Sequence, residues 1–257
     1  RPAAGKYRRQ ETTRYTGGMR LAVVALLLIG CKKDYEDFTP VGGGGSGMTG
    51  VTDALLDSEI DAPTDAVLVT GRVCVVADLR KLTVCDPDNS DDIAVDLDTA
   101  HGNTGPDGTF QIDLPSGTGL TWKVSHPDFV TAISEFGPSL TLNTMRAAKF
   151  DALLSTNGII LTGGVSSSVV VQVLGAGNAP LAGATVATVP AAQFAPRYDG
   201  NSATIWDPGV TGAFGVAWVP GTTGTSTQLT VTPPTGTPVT STVPLQADAI
   251  TFVTVSF

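Results

Sequence analysis

The sequence predicts an all-β protein: two tandem antiparallel β-sandwiches joined by a short helical connector, behind a signal segment and a flexible linker. Three observations predict it. The chain holds 30 Gly and 17 Pro in 257 residues and is also rich in Thr, Val and Ala, the composition of short strands and turns rather than of helices. Apolar and polar residues alternate over short runs such as "IAVDLDT" and "TFQIDL", as they do on half-buried strands. A pattern also recurs 104 positions on, from Phe110 to Phe214: Gly108, Phe110, Ile112, Leu114 and Gly117 match Gly212, Phe214, Val216, Trp218 and Gly221. A period of that size points to two related domains rather than a solenoid. The expected boundaries are 1–30 for the signal segment, 31–65 for the tether, 66–142 for the first sandwich, 143–158 for the connector and 159–257 for the second sandwich.

Residues 21–30 are ten apolar or small residues. That is too short for a bilayer span, which needs about 20, but it fits the apolar core of a secretory signal. Met19-Arg20 make a minimal start in front of it, and the basic residues 1–18 read as lying upstream of a true start at Met19. The run stops at Cys31, and Leu28-Ile29-Gly30-Cys31 resembles the bacterial lipobox. The resemblance implies that Cys31 is diacylated on sulfur, that the chain is cut before it, and that the new amine is acylated. Two or more acyl chains hold a protein stably on a membrane where one does not. The alternative is an ordinary secretory signal with an incidental cysteine. Lys32, not Asp, follows the cysteine, which favours the outer over the inner membrane. Residues 32–50 include "VGGGGSGMTG", a flexible coil that lets a domain stand off the membrane. Residues 51–65 are acidic, with a short apolar spot at Ala54-Leu55-Leu56.

Charge narrows the partners. Residues 1–30 hold six of the 15 Lys/Arg and one of the 24 Asp/Glu, which leaves nine basic and 23 acidic residues beyond them, net −14. That balance disfavours nucleic acid, which needs clustered Lys and Arg, and disfavours electrostatic adhesion to anionic lipid. Membrane attachment is therefore expected through the N-terminal lipid, with an envelope protein or a glycan as further partner.

The first sandwich opens with "AVLVTGRVCVV", a strand. "VCVVADLRKLTVC" then reads as a hairpin with its turn at residues 78–81, which sets Cys74 opposite Cys85, Val75 opposite Val84 and Val76 opposite Thr83. An even cysteine pair in an exported protein favours a disulfide over two buried thiols. Residues 93–99 form the next strand, Pro106-Asp107-Gly108 a turn, and Phe110, Ile112 and Leu114 an inward row. "LTWKVSHPDFV" adds a strand with Leu120, Trp122 and Val124 inward. "NTMRAAKFDALLSTNG" is the best helix, with Asn143 as its cap and Gly158 just past its end. In the second unit, a strand over 169–174 runs to a Gly/Asn/Pro turn, and "GATVAT" enters another strand. Phe214, Val216 and Trp218 repeat the inward row. In the closing "AITFVTVSF" the apolar phase shifts between Phe252 and Val253, the mark of a bulge or of a strand buried on both faces.

These motifs resemble the carboxypeptidase regulatory-like domain, a small seven-stranded sandwich similar to transthyretin. The second unit carries the resemblance best, through Asn178-Ala179-Pro180-Leu181-Ala182-Gly183-Ala184-Thr185-Val186 and the Thr-Gly-Ala-Phe corner. In the first unit the Cys74–Cys85 segment and an acidic loop replace the Pro-Leu-x-Gly-Ala turn. The resemblance implies accessory domains that stabilise, space or bind, without catalysis and without a cofactor.

Little in the chain reads as chemistry. The acidic run at 86–98 offers calcium candidates in Asp86, Asp88 and Asp91, but position 6 of an EF-hand count is Asp91 instead of Gly and position 12 is Leu97 instead of Glu. A solvated acidic loop is the simpler reading. Two histidines far apart exclude a four-ligand zinc site. His101 and His126 have no nucleophile marked beside them. Gly44-Gly45-Ser46-Gly47-Met48 fails the nucleophile elbow at its last position, and no phosphate loop or dinucleotide fingerprint is present. Trp206, in a long loop, and Tyr198, eight residues before it, are the candidate ligand contacts. Loop aromatics either stack on sugars and proteins or fold over a core edge, and the second reading is the simpler one.

Overall fold

The computed structural model describes residues 67–86, 90–137, 140–200 and 206–257. The signal segment, the lipobox of Leu28, Ile29, Gly30 and Cys31, the tether and Asp88 lie outside them.

The described chain is all-β with one helix. Its first half contains β1 (Leu68–Val75), β2 (Ala94–Leu97), β3 (Ala100–Asn103), β4 (Thr109–Asp113), β5 (Thr121–Ser125), β6 (Phe129–Glu135), β7 (Thr141–Arg146) and the helix α1 (Ala147–Thr156). The second contains β8 (Ser166–Leu174), β9 (Thr185–Val189), β10 (Arg197–Tyr198), β11 (Val216–Thr223), β12 (Ser226–Thr232), β13 (Val239–Pro244) and β14 (Ala249–Ser256). The halves repeat a pairing scheme. The opening strand, β1 or β8, lies between an antiparallel partner, β4 or β11, and a parallel closing strand, β7 or β14. The sandwiches expected from sequence as antiparallel thus also hold parallel pairs, β1–β7 and β8–β14.

The halves are also not separate beads. β6 pairs with β14 in parallel, Thr131 beside Ala249 through Ser134 beside Phe252, so one sheet runs β10-β11-β8-β14-β6-β5-β2-β3 across both. β13-β12-β9 form a second sheet. The cores follow. One, made of Val169, Val171, Val173, Ala217, Val219, Leu229 and Val231 among others, belongs to the second half alone. The other joins Trp122, Phe110, Leu79 and Phe150 of the first half to Val170, Val216, Trp218 and Phe252 of the second. Thus β8 and β11 are buried on both faces, which is why "SSSVVVQVL" and "VAWVPG" are continuous apolar or small runs instead of alternating ones. Trp218 is inward as expected, but it points out of its own sandwich and into the shared core. The phase shift in β14 resolves the same way. Its ladder to β8 is unbroken, and residues 249–252 are buried on both faces. The bulge is in β11, between Pro220 and Thr222.

Two local expectations are corrected. Asn143 does not cap the helix. It lies on β7, paired with Cys74, and α1 begins after Arg146 with no side-chain cap. The C-terminus is as expected. Gly158, at φ +64°, donates to Ser155 O while Ile159 donates to Leu154 O, and Ile159 is buried, the pattern of a Schellman stop. The Cys74–Cys85 segment is two successive turns rather than a hairpin. Lys81 N–H donates to Asp78 O, Val84 N–H donates to Lys81 O, and the bridge pairs Cys85 with Val76. Only Arg72 of β1 registers on both edges, with Thr109 and with Thr141; at Cys74 and Val75 one edge is held by β7, and the returning chain meets the other at the Val76–Cys85 bridge and through Asp86 N–H to Val75 O.

Candidate functional site

Of the residues singled out from sequence, Cys74 and Trp206 lie in the core shared by the two halves and Cys85 packs against it. Cys74 and Cys85 are bonded, with Cα atoms 5.0 Å apart. The bond is diagonal across the Val76–Cys85 bridge, not between directly opposed residues. The loop it closes, between cysteines 11 positions apart, carries Leu79 and Leu82, both buried in the shared core, and Lys81, whose Nζ lies 5.7 Å from the centre of the Phe214 ring. The disulfide thus braces a lid that the first half contributes to the shared core and that reaches the corner before β11. Reducing it, or making C74S/C85S, is expected to lower stability by about 2–4 kcal/mol, read as a lower urea midpoint with a somewhat steeper slope, because the unfolded chain is released from its cross-link.

Neither aromatic candidate is an exposed loop ring. Trp206 is only 5% exposed and packs edge-to-face on Trp218 at 5.6 Å between ring centres. It is a core-edge residue, the simpler of its two readings. Tyr198 is buried too. Its hydroxyl accepts from Val186 N–H at 3.0 Å and lies 3.4 Å from Val186 O, to which it donates. That seals part of the open edge of β9, where unpaired backbone groups would otherwise invite another strand. Burial raises the pKa of Tyr198, only partly offset by the Val186 amide. The phenol therefore contributes stability that is present below its ordinary value of 10.0 and is lost as pH rises through the raised one.

One buried acid was missed. Asp199 is fully buried, and its carboxylate accepts from the N–H groups of Gly212 and Phe214 at 2.6 Å each and of Val216 at 3.1 Å. It ties down the whole Thr-Gly-Ala-Phe-Gly corner that enters β11. A Cβ at position 212 would collide with the carbonyl of Gly200, so the corner requires glycine there. Nothing in the local sequence marks Asp199, because its partners lie 13 to 17 residues away.

The other polar candidates stay apart. His101 is on β3, exposed and 2.8 Å from Asp96 Oδ1 through Nδ1. His126 accepts the Asp128 N–H on Nδ1 and packs on Phe129. Asp91 is exposed ahead of β2, and Asp86 follows the cysteine bridge. Among the described residues no three His, Cys, Asp or Glu side chains converge on a point that could hold a metal. The turn acid Asp107 accepts from both the hydroxyl and the N–H of Thr109, which together hold its pKa below the ordinary value.

Beside the lid, a cleft of about 380 Å³ opens between residues 77–80, one side of α1 and Trp206. Arg80 reaches into its wall. The side chain donates through Nε to Asp78 Oδ1 at 2.9 Å and through Nη2 to Oδ2 at 2.7 Å. Burial pushes the Asp78 pKa up, but these bonds and the charges of Arg80 and Lys81 outweigh it, so the net shift is down. Arg80 Nη1 is buried and has no acceptor among the described residues.

No family model matches the chain, and no curated protein matches it. Among solved structures it is similar to a Streptococcal ancillary pilin, at TM-score 0.27 and 12% identity over 74% of this chain and 68% of that one. It is similar to the Bacillus anthracis TIE protein, at TM-score 0.26 and 10% identity over 75% of this chain and 40% of that one. It is also similar to a candidate cell adhesion protein from Bacteroides ovatus, at TM-score 0.23 and 10% identity over 75% of this chain and 92% of that one. Likenesses this slight carry no argument about function.

Proposed function

We propose that the chain is a lipid-anchored protein of the bacterial cell envelope with a non-catalytic structural or binding role, built from two carboxypeptidase regulatory-like halves. The observation that carries it is the ten-residue apolar run ending in Leu28-Ile29-Gly30-Cys31. A glycine-rich tether follows, and Lys32 favours the outer membrane. The Cys74–Cys85 bond agrees with an oxidising compartment outside the cytoplasm. Among the described residues no helix is long and apolar enough to cross a membrane. Attachment is assigned to acyl chains on Cys31 on the strength of the lipobox resemblance, since two or more such chains hold a protein stably. A glycan-binding role through Trp206 is not retained, because its indole is buried.

The test is the intact mass of the protein extracted from the membranes of a Gram-negative host, with and without reduction. The expected species starts at Cys31, carries acyl chains, and gains two hydrogens on reduction. C31A is expected to move the protein from the membrane to the soluble fraction. An unacylated species with another N-terminus overturns the anchor.

A further inference from the structure

We propose that the groove beside the free edge of β13 binds an extended, basic segment of a partner protein, which adds a strand to that edge. The inference rests on the binding half of the function proposed above and not on the lipid, so an unacylated Cys31 would leave it untouched. The first ground is the edge. β13 is the outermost strand of the β13-β12-β9 sheet and pairs with β12 alone. Main-chain groups point alternately to one side and the other along an antiparallel strand. On β9, Val186 directs its N–H and C=O away from β12, to the Tyr198 hydroxyl. Its register partner Val231 therefore turns toward β13, where it meets Val239. Val239, Ser241 and Val243 thus face β12, and the residues between them face away. Two bonds agree with that phase. Pro244 O accepts the Thr251 hydroxyl instead of a β12 amide, and the Thr240 and Thr230 hydroxyls lie 2.9 Å apart across a pair not bonded through the main chain. Thr240 and Thr242 therefore present both N–H and both C=O groups to the open side. Both residues are exposed, and among the described residues nothing pairs with those groups.

The second ground is the groove. Thr242 and Pro244 line a cleft of about 680 Å³ whose opposite wall is the first half: the loop between β4 and β5, with Glu135 and Phe136 at the end of β6. That wall stands against pairing of β13 with β13 of a second copy, since each edge would have to reach past the other's loop. A single extended strand needs only about 4.8 Å beside its neighbour. Added strands of this kind gain affinity from main-chain bonds and specificity from the side chains that the flanking walls meet. Those walls are selective in charge. Glu135 is the only charged side chain among the described residues of the lining, is exposed, and makes no ion pair among the described residues. It pairs in register with Thr121, also of the lining, so the two side chains share a face. The rest of the lining is hydroxyl-bearing, glycine or apolar, with no cation. A strand with Lys or Arg among β-branched residues fits it, and an acidic strand does not.

The experiment is fluorescence anisotropy of the full chain with the labelled peptide acetyl-TVTKTVT-amide, with acetyl-TVTETVT-amide as comparison, repeated on T242P and E135K. The lysine peptide is expected to bind, and the glutamate peptide to bind about tenfold more weakly. T242P removes an outward N–H and sets a ring on the edge while leaving the ladder to β12 intact, as proline does on an edge strand. It is expected to weaken the lysine peptide about tenfold or more. E135K is expected to reverse the preference between the two peptides. Hydrogen exchange at the Thr240 and Thr242 amides is expected to be fast in the free chain and slowed by the lysine peptide. No binding of that peptide, equal binding of the two peptides, or undiminished binding to T242P overturns the site. Slow exchange at Thr242 in the free chain also overturns it, because another part of the chain or a second copy then holds the edge. If T242P fails to fold, E135K, an exposed change, and the exchange pattern decide.

Discussion

Trp218→Ala is expected to destabilise the protein by about 3–5 kcal/mol, and to weaken both halves rather than one. The indole is fully buried, edge-to-face with Trp206 at 5.6 Å and with Phe150 of α1 at 6.3 Å between ring centres. It stands on the face of β11 turned toward the first half, so the cavity left by truncation opens in the shared core. Phe150 and the lid residue Leu79 lose packing together with Trp206. Hydrogen exchange should therefore rise in β1, β4 and β5 as well as in β8 and β11. Independent sandwiches would confine the loss to the second half, and that outcome would refute the shared core. Trp218→Phe is expected to cost clearly less than Ala. It keeps most of the volume and removes an indole N–H that has no hydrogen-bond partner. Urea unfolding at constant slope measures both variants.

Asp199→Ala is the second large effect, with an expected loss of about 3–5 kcal/mol. Three backbone N–H groups converge on one buried carboxylate. Removing it strands all three away from water, at about 1–3 kcal/mol for each unsatisfied donor before relaxation. Asp199→Asn keeps the shape but turns one acceptor into a donor. With its oxygen in the Oδ1 position it still serves Gly212 and Val216, while its amide faces the N–H of Phe214. The expected order of urea midpoints is therefore wild type, then Asn, then Ala. Equal midpoints for Asn and Ala would mean that the corner is held by its backbone turns and not by the side chain. Because Gly212 to Val216 lead into the strand that carries Trp218, the two variants should also be less than additive when combined.

Strand content was legible wherever one face meets a core and the other meets water. Phe110 and Ile112 against Gln111 and Asp113 show it, as do Trp122 and Val124. The helix end at Gly158 and the Cys74–Cys85 pair were legible for a related reason: a glycine stop and an even cysteine count are local signals. The helix start was not. Asn143 has the chemistry of a cap, but the parallel ladder to β1 claims it for β7. The hairpin register failed in a related way: Cys74 and Val75 pair with β7, whose residues lie tens of positions downstream, and the returning chain bridges β1 at Val76 instead.

The candidate site divides similarly. Trp206 and Tyr198 stood out as aromatics near a long loop, yet composition cannot say whether such a ring meets solvent or another ring. The packing of Trp206 on Trp218 and the bond from Tyr198 to the edge of β9 decided that. Asp199 and Arg80 carried no signal at all, since each is defined by what surrounds it.

By itself, the sequence determined the all-β class, the two-fold repetition of the strand pattern, the disulfide partners and the turn glycines. All of these depend on neighbours a few residues apart or on residue type alone. Only the tertiary structure decided that β6 and β14 join the halves into one sheet, that Trp218 faces the other half's core, and that Arg80 is buried with a nitrogen unpaired. The physical reason is that a strand buried on both faces has no periodicity to reveal which face meets which neighbour. Burial and pairing there are set by surfaces that come together only on folding.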